Sequence, residues 1–170
     1  MYAYCLFCQT QKCGMVAAAL EKRGVLRAFS PQIYKRQRIQ GRNVDRLYDL
    51  LPGYVFVFSE DALDEYDLFR GVDGIVRRIG DPEESYRLTG ADREFALNLY
   101  RKEGVVGQIT VYKVGDAVRM DDPLFNGVSG KISQIDYKKQ RARVEYRFAG
   151  MSCYTWIACD LISAEPSGEV

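Results

Sequence analysis

The spacing of apolar residues in the first hundred positions predicts a helix close to the N-terminus. Cys13, Val16, Ala17 and Leu20 recur at i, i+3, i+4 and i+7, which places them on one face of a helix. Gly24 stands just beyond this segment, where a helix C-terminus favours glycine. We therefore expect a helix that buries these four side chains and ends before Gly24.

Strands are indicated on both sides of this helix. Residues 2–7 form an apolar and aromatic run that is typical of a buried strand. Residues 28–39 look extended, and Gly41 with Asn43 favours a hairpin turn after them. The run that follows Pro52 and Gly53 is apolar at every position, which predicts a strand covered on both faces of a sheet.

The remainder of the first hundred residues is predicted to form a helix, a short strand and another helix. Residues 61–69 carry apolar side chains at helical intervals, and residues 74–79 read as a short strand. Thr89 and Asp92 resemble a capping box at the start of another helix. This order of elements predicts an α+β fold, an antiparallel-sheet sandwich with flanking helices.

The pattern changes after Tyr100. Residues 101–108 lack periodicity, and beyond them only short strands are predicted, at intervals of about ten residues, which is typical of a small β-barrel. The predicted barrel strands are Ala117–Met120, Gly130–Ile135, Ala142–Tyr146 and Tyr154–Ile157. We expect an N-terminal domain over residues 1–100, a linker over 101–112, a barrel domain over 113–163 and a tail over 164–170.

The amino-acid composition excludes several classes of enzyme and metal site. The chain has no histidine and a net charge of +1, so imidazole-based hydrolysis and His-containing zinc sites are excluded, and no overall basic field indicates nucleic acid. No Gly-rich phosphate loop is present, and paired acids such as Glu83 and Glu84 lie in polar, turn-like segments. We expect a protein that is not an enzyme and that needs no cofactor or metal.

The Cys5-x-x-Cys8 spacing is a weak metal signal. On a strand, residues three apart point to opposite faces, so the two thiols would not converge on one ion. Buried, inert thiols are the better interpretation. Residues 1–7 lack the features of a signal peptide, and no apolar run is long enough to span a bilayer, so we expect a cytoplasmic protein, without membrane contact and monomeric.

Three segments resemble a known family in order and spacing. They are Leu51-Pro52-Gly53-Tyr54-Val55-Phe56-Val57, Gly71-Val72-Asp73-Gly74-Ile75-Val76 with Gly80, and Val114-Gly115-Asp116-Ala117-Val118-Arg119 with Gly127 and Gly130-Lys131-Ile132. The first two resemble the N-terminal domain of NusG-type transcription factors, and the third resembles a KOW domain. Together the resemblances extend over nearly the whole chain.

The resemblance implies a factor that binds RNA polymerase and promotes processive elongation and antitermination. In such factors an apolar pocket of the N-terminal domain receives the clamp helices of the polymerase, and the matching positions here are Phe7, Leu51, Pro52, Gly53 and Tyr54. The alternative interpretation is that these apolar side chains are simply part of the core. The basic run after Ile135 is similar to the specialised antiterminator branch LoaP, which implies action on specific operons.

Two basic clusters are candidates for nucleic-acid binding. The first, on the predicted hairpin, includes Lys35, Arg36 and Arg38, and the resemblance would direct it at upstream DNA through phosphate contacts. The second, in the predicted barrel, comprises Lys131, Lys138, Lys139, Arg141 and Arg143. Solvated basic surfaces would explain both clusters equally well.

The barrel cluster leaves the partner of this domain open. Arg141, Arg143 and Glu145 alternate along a strand and so share one face, with Tyr137 and Tyr146 nearby as candidates for stacking on bases. The partner would be nascent RNA or a protein. KOW segments also occur in ribosomal proteins, so an RNA-binding module of ribosomal type is the alternative function.

Overall fold

The computed structural model describes residues 1–64, 69–114 and 117–162. The described helices and strands follow one another in this order: β1 (Tyr2–Cys8), α1 (Cys13–Lys22), β2 (Arg27–Phe29), β3 (Gln32–Ile39), β4 (Arg42–Asp49), β5 (Tyr54–Ser59), β6 (Ile75–Ile79), α2 (Gly90–Arg101), β7 (Val105–Val106), β8 (Ile109–Val114), β9 (Ala117–Met120), α3 (Pro123–Asn126), β10 (Lys131–Asp136), β11 (Arg141–Phe148) and β12 (Met151–Ile162).

The chain divides into two compact units that interleave along the sequence. The first comprises Met1–Gln32 and Asp49–Gly104, and the second comprises Ile33–Tyr48 and Val105–Val170. The hairpin of β3 and β4 therefore packs with the C-terminal part of the chain, although it is encoded in the N-terminal third.

A four-stranded sheet in the order β2-β5-β1-β6 organises the first unit. Strand β5 pairs antiparallel with β1 and β2, and its residues from Val55 to Ser59 are buried. Val55 and Val57 pack with Val16 and Leu20 of α1, whereas Phe56 and Phe58 face the other way. On that second side, Phe56 contacts Phe95 of α2. The prediction of a central strand covered on both faces, and with it the α+β sandwich, is confirmed.

Helix α1 forms as its apolar spacing predicts. Cys13, Val16, Ala17 and Leu20 are its buried residues. Gly24 follows the helix with φ of 98°, and its N–H donates to the Glu21 carbonyl. Because an L side chain is strained at this φ, glycine is the residue suited to end the helix here.

The capping box predicted at the start of α2 was wrong. Thr89 is the residue before the helix, but its side chain accepts no capping hydrogen bond. Gly90 follows it with φ of 56°, whereas the first residue after a regular cap has helical angles. The buried face of the helix, which includes Phe95, Leu97 and Leu99, matches the predicted apolar positions.

In the second unit, the hairpin extends into a three-stranded sheet in the order β4-β3-β7. Gln40 and Gly41 form its two-residue turn with φ of 47° and 78°, as a type I′ turn requires. Asn43, expected in the turn, lies in β4. Strand β7 falls in the segment predicted to be a linker, because Val105 and Val106 find a partner strand that is distant in sequence.

The predicted barrel is present as a five-stranded sheet in the order β10-β11-β12-β8-β9. Its neighbours pair antiparallel, except that β12 runs parallel to β8. The one-turn helix α3 lies between β9 and β10, and its Leu124 N–H donates to the Asp122 carboxylate at 2.9 Å. Gly130 passes so close to Phe125 that a Cβ would lie 2.5 Å from its carbonyl oxygen.

Some sequence predictions lie wholly or partly outside the described residues. They concern the helix over residues 61–69, Gly115 and Asp116 of the third motif, and the tail over residues 164–170. Among the described helices, none combines the length and apolar character needed to cross a membrane.

Candidate partner-binding sites

The Leu51–Tyr54 segment forms a tight turn that leads into β5. The Tyr54 N–H donates to the Leu51 carbonyl at 3.1 Å, and Gly53 has φ of 89°. Proline at the second position and glycine at the third suit a type II turn. Leu51 is buried, Pro52 is exposed and Tyr54 is half-buried, so the turn presents proline and tyrosine to solvent while leucine anchors it.

The same turn is held against β1. The Cys8 N–H donates to the Gly53 carbonyl at 2.7 Å. A Cβ on Gly53 would lie 3.0 Å from Phe7 Cε2 and 3.2 Å from the Cys8 carbonyl oxygen. Glycine is therefore needed both for its positive φ and for the close approach of β1.

An aromatic row crosses the sheet beside this turn. Phe7 of β1 lies opposite Tyr54 of β5, and their ring centroids are 5.2 Å apart. On the other side Phe7 lies opposite Arg77 of β6, whose Cζ is 5.9 Å from the Phe7 centroid. Both rings are half-buried, which leaves part of each accessible to a partner. Sequence reasoning missed Arg77, because only the pairing of β1 with β6 brings it to Phe7.

The second family motif stabilises the start of α1. Gly74 has φ of 100°, and a Cβ there would lie 2.8 Å from Lys12 Cβ. Its carbonyl accepts from the Gln9 N–H, and Lys12 Nζ lies 2.7 Å from the Asp73 carboxylate. Hydrogen bonding to Lys12 lowers the pKa of Asp73. This motif therefore has a structural role beside the aromatic row.

Arg36 of the hairpin cluster is engaged within the second unit. Its guanidinium forms two hydrogen bonds with the Asp45 carboxylate, at 2.8 and 3.2 Å, and also bonds the side chains of Gln108 and Gln140. Its side chain is only 11% exposed. Lys35 lies over the Tyr48 ring, and Arg38 is exposed. Arg36 thus links the hairpin to the turn between β10 and β11.

The barrel cluster divides between a turn and a sheet face. Lys138 and Lys139 lie in the turn between β10 and β11, where the Lys139 N–H donates to Asp136. Lys131, Arg141 and Arg143 lie on the outer face of β10 and β11, opposite the buried Ala142 and Val144. The structure thus brings three of the five residues onto one surface.

Two aromatic residues that sequence reasoning missed complete this outer face. Arg143 Cζ lies 4.1 Å from the Tyr154 ring centroid, and Arg141 Cζ lies 4.6 Å from the Trp156 centroid. Their alternation along β12 was the available signal. The suggestion that Tyr146 stacks on bases was wrong, because its ring is buried against Phe125.

The Cys5 and Cys8 thiols are buried, as predicted. Cys8 lies in the core cluster with Tyr4 and Leu6, whereas Cys5 is buried on the other face of β1. Burial raises the pKa of Cys8 to about 12, with a further contribution from Cys13. Among the described residues, no group of three or more potential Cys, Asp or Glu ligands converges.

Comparison with known proteins identifies the family. The family model described as "NusG: Transcription termination factor nusG" matches residues 2–95, more than half of the chain. The chain belongs to the NusG family. The matched residues include the Pro52-Gly53 turn, the aromatic row and the Gly71–Gly74 motif.

Individual relatives share this name. The chain is 26% identical over 107 residues to the "Transcription termination/antitermination protein NusG" of Buchnera aphidicola from Acyrthosiphon pisum, covering 62% of this chain and 59% of the relative. It is 23% identical over 112 residues to the protein of that name from Rickettsia typhi, covering 65% and 58%. The chain therefore spans about three fifths of the length of these relatives.

A solved structure supports the fold across both units. It is described as "Domain interaction in Thermotoga maritima NusG" and matches 92% of this chain and 93% of that chain, with a TM-score of 0.53 and 22% identity. The predicted fold class, a NusG-type α+β domain followed by a KOW-like barrel, is confirmed.

Proposed function

We propose that this NusG-family chain binds RNA polymerase through the Pro52-Gly53 turn and promotes processive elongation. The observation that supports the proposal is the accessible aromatic pair, Phe7 and Tyr54, fixed beside an exposed Pro52. Aromatic side chains on a rigid support lose little conformational freedom on binding, and a nearby cation such as Arg77 can rim the contact.

The expected partner is the clamp-helix pair of the polymerase, as the family resemblance implies. Phe7, Pro52 and Tyr54 would contact it directly, whereas Leu51 and Gly53 would act by shaping the turn, since both are buried. Binding across the clamp would favour the closed, elongating conformation over paused ones, and it requires no bond chemistry. The protein would thus act as an antitermination factor, on specific operons, and not as an enzyme.

The hairpin of β3 and β4 is the proposed DNA-facing surface of this assembly. Lys35 and Arg38 would supply phosphate contacts without reading sequence. Arg36 would position the hairpin, because its guanidinium already bonds Asp45, Gln108 and Gln140.

Replacement of the Tyr54 ring tests the polymerase contact. We expect Tyr54→Ala to weaken binding to a purified clamp-helix fragment about tenfold, the loss typical of an aromatic hot spot. Binding would be measured by titration against the labelled fragment. Tyr137→Ala is the matched control, because Tyr137 is an exposed tyrosine of the second unit and should bind like wild type. Equal affinity of Tyr54→Ala and wild type would contradict the site.

Transcription through an intrinsic terminator tests the activity. Wild-type protein should increase read-through by purified polymerase, and Tyr54→Ala should lose this effect at concentrations where wild type is saturating. The template should carry the DNA that flanks the gene for this chain, so that an operon-specific signal is present. Read-through that persists in Tyr54→Ala at these concentrations would place the activity elsewhere in the chain.

A further inference from the structure

The outer face of β11 and β12 carries an arrangement that the polymerase site does not use. On this face β11 carries Arg141 and Arg143, each partly exposed, and the neighbouring β12 carries the exposed Tyr154 and the partly exposed Trp156. We call these four residues the stacking face. Each arginine lies over one ring, with Cζ-to-centroid distances of 4.6 Å for Arg141 on Trp156 and 4.1 Å for Arg143 on Tyr154.

We propose that the stacking face binds unpaired bases of single-stranded RNA. Two adjacent arginine–aromatic pairs offer flat surfaces on which successive bases can stack, and guanidinium planes serve as well as rings. The inference rests on the proposed function for its source of RNA, since the nascent transcript is the single strand that an elongation factor continually meets.

Exposure of the Tyr154 ring supports a ligand and argues against a purely internal role. Tyr154 remains 61% exposed although Arg143 covers part of it. An exposed aromatic ring on a strand gains little from folding, whereas the opposite strand face already supplies the barrel core through Val144, Phe148 and Ile157. The ring is therefore available for a partner that stacks on it.

Cations outnumber acids around the stacking face, where Arg141 pairs with Asp136 at 3.4 Å and Arg143 with Glu145 at 3.6 Å. Lys131 lies on the neighbouring β10, directly opposite Glu145, and Arg147 lies farther along β11. A groove of about 380 Å³ runs beside Tyr154, and its lining includes Lys131, Arg143 and Arg147 with Glu145 as an acid. Cations along a groove can follow the phosphates while the rings hold the bases.

Because its flat groups can stack only on accessible bases, the stacking face should distinguish single-stranded RNA from an RNA duplex. In an A-form duplex, bases are stacked on one another and their flat surfaces are inaccessible to side chains. Cations alone would bind both forms through phosphate, whereas a stacking face requires unpaired bases. Preference for an unpaired strand is therefore the signature that separates this inference from a simple basic surface.

Trp156 provides a direct readout, because it is the only tryptophan of the chain. The intact protein would be titrated with an unstructured RNA of about ten nucleotides, within the site sizes of single-strand binders. We expect quenching of the tryptophan emission by the single strand and much weaker quenching by the same RNA in a perfect duplex. A single-stranded DNA of the same sequence, titrated in parallel, shows whether the stacking face prefers RNA to DNA.

Three variants locate the site. Tyr154→Ala should weaken RNA binding about tenfold, as removal of one stacking ring typically does. Arg143→Lys keeps the charge but removes the flat guanidinium, so it should weaken binding while leaving the salt dependence of affinity unchanged. Tyr86→Ala removes a ring that Arg78 covers in the same way, with 4.0 Å from Cζ to the ring centroid, but in the first unit, and it should leave affinity near wild type.

Several results would overturn the inference. They are absence of quenching by single-stranded RNA, equal affinity for single-stranded and duplex RNA, tighter binding of DNA than of RNA, and equal loss in Tyr86→Ala and Tyr154→Ala. Thermal unfolding followed by circular dichroism checks that each variant is folded. The clamp-helix titration contains no RNA, so failure of the polymerase proposal and failure of this one are observed separately.

Discussion

Among single residues, Gly53 carries the strictest requirement of the candidate polymerase site. Its φ of 89° lies in the region that side chains disfavour, and a Cβ would lie only 3.0 Å from Phe7 Cε2 and 3.2 Å from the Cys8 carbonyl oxygen. Every other residue would have to displace the Phe7 ring or the Cys8 backbone. The geometry of the aromatic row thus depends on a residue that has no side chain of its own.

The substitution Gly53→Ala should therefore destabilise the protein and distort the site. We expect a loss of about 1–3 kcal/mol, the range for a non-glycine residue held at such a strained backbone conformation. Denaturant unfolding of both proteins measures this loss. Gly14→Ala is the control, because Gly14 lies in α1 with nothing within 4 Å of a Cβ, and it should stabilise the helix by up to about 1 kcal/mol. Equal effects of the two substitutions would contradict the packing described for the turn.

At the scale of elements, the hairpin of β3 and β4 is secured by one arginine. Arg36 binds the Asp45 carboxylate with two nitrogens and reaches Gln108 and Gln140 with the rest of its guanidinium. The lysine side chain has a single nitrogen and cannot reproduce this fork, the two parallel hydrogen bonds that the guanidinium forms with the carboxylate. The hairpin should therefore be sensitive to the shape of this side chain as well as to its charge.

Arg36→Lys should loosen the hairpin by about 2 kcal/mol, the scale of a lost hydrogen bond to a charged group. Hydrogen exchange of the β3 and β4 amides measures the local loss directly. Arg38→Lys, made two residues away on an exposed side chain, should leave these amides as protected as in wild type. Unchanged protection in Arg36→Lys would show that the fork does not hold the hairpin.

Sequence patterns predicted which segments form helices and strands better than they predicted which strands pair with one another. The buried face of α1 and the central position of β5 follow from apolar spacing alone, because that spacing records which side chains face the core. Strand β7 could not be predicted, since a two-residue strand exists only through its partner β3. Phe7 beside Arg77 and Arg143 beside Tyr154 likewise depend on strand pairing, which no local pattern specifies.

The same reason explains how the candidate sites were revised. Tyr146 and Tyr154 are both tyrosines near a basic run, yet in the paired strands β11 and β12 Tyr146 is buried and Tyr154 is exposed. Leu51 matches the family motif, yet it is buried and can serve the proposed polymerase site only by anchoring the turn. Residue identity thus indicated the regions, while accessibility decided which side chains remain candidates for contact.

At the scale of the whole molecule, the second unit is assembled from two separate stretches of chain. Residues Ile33–Tyr48 pack with residues from Val105 onward, and Arg36 contributes hydrogen bonds to Gln108, Gln140 and the Cys159 carbonyl. A barrel domain cut out at the predicted linker would lack this hairpin. Its stability should then be lower than that of the same barrel in the intact chain.

A fragment comparison tests this organisation. Residues 105–162 expressed alone should unfold at a lower denaturant concentration than the barrel of the full chain, with a loss of at least about 2 kcal/mol because the charged hydrogen bonds from Arg36 are missing. Exchange of the β11 amides gives the free energy of opening in both proteins. Full-length Arg36→Lys should lie between fragment and wild type, since it keeps the hairpin but loses the fork. If the fragment matched the intact barrel, the hairpin would contribute nothing to the second unit, and a boundary between residues 100 and 113 would describe the domains better than the interleaved division.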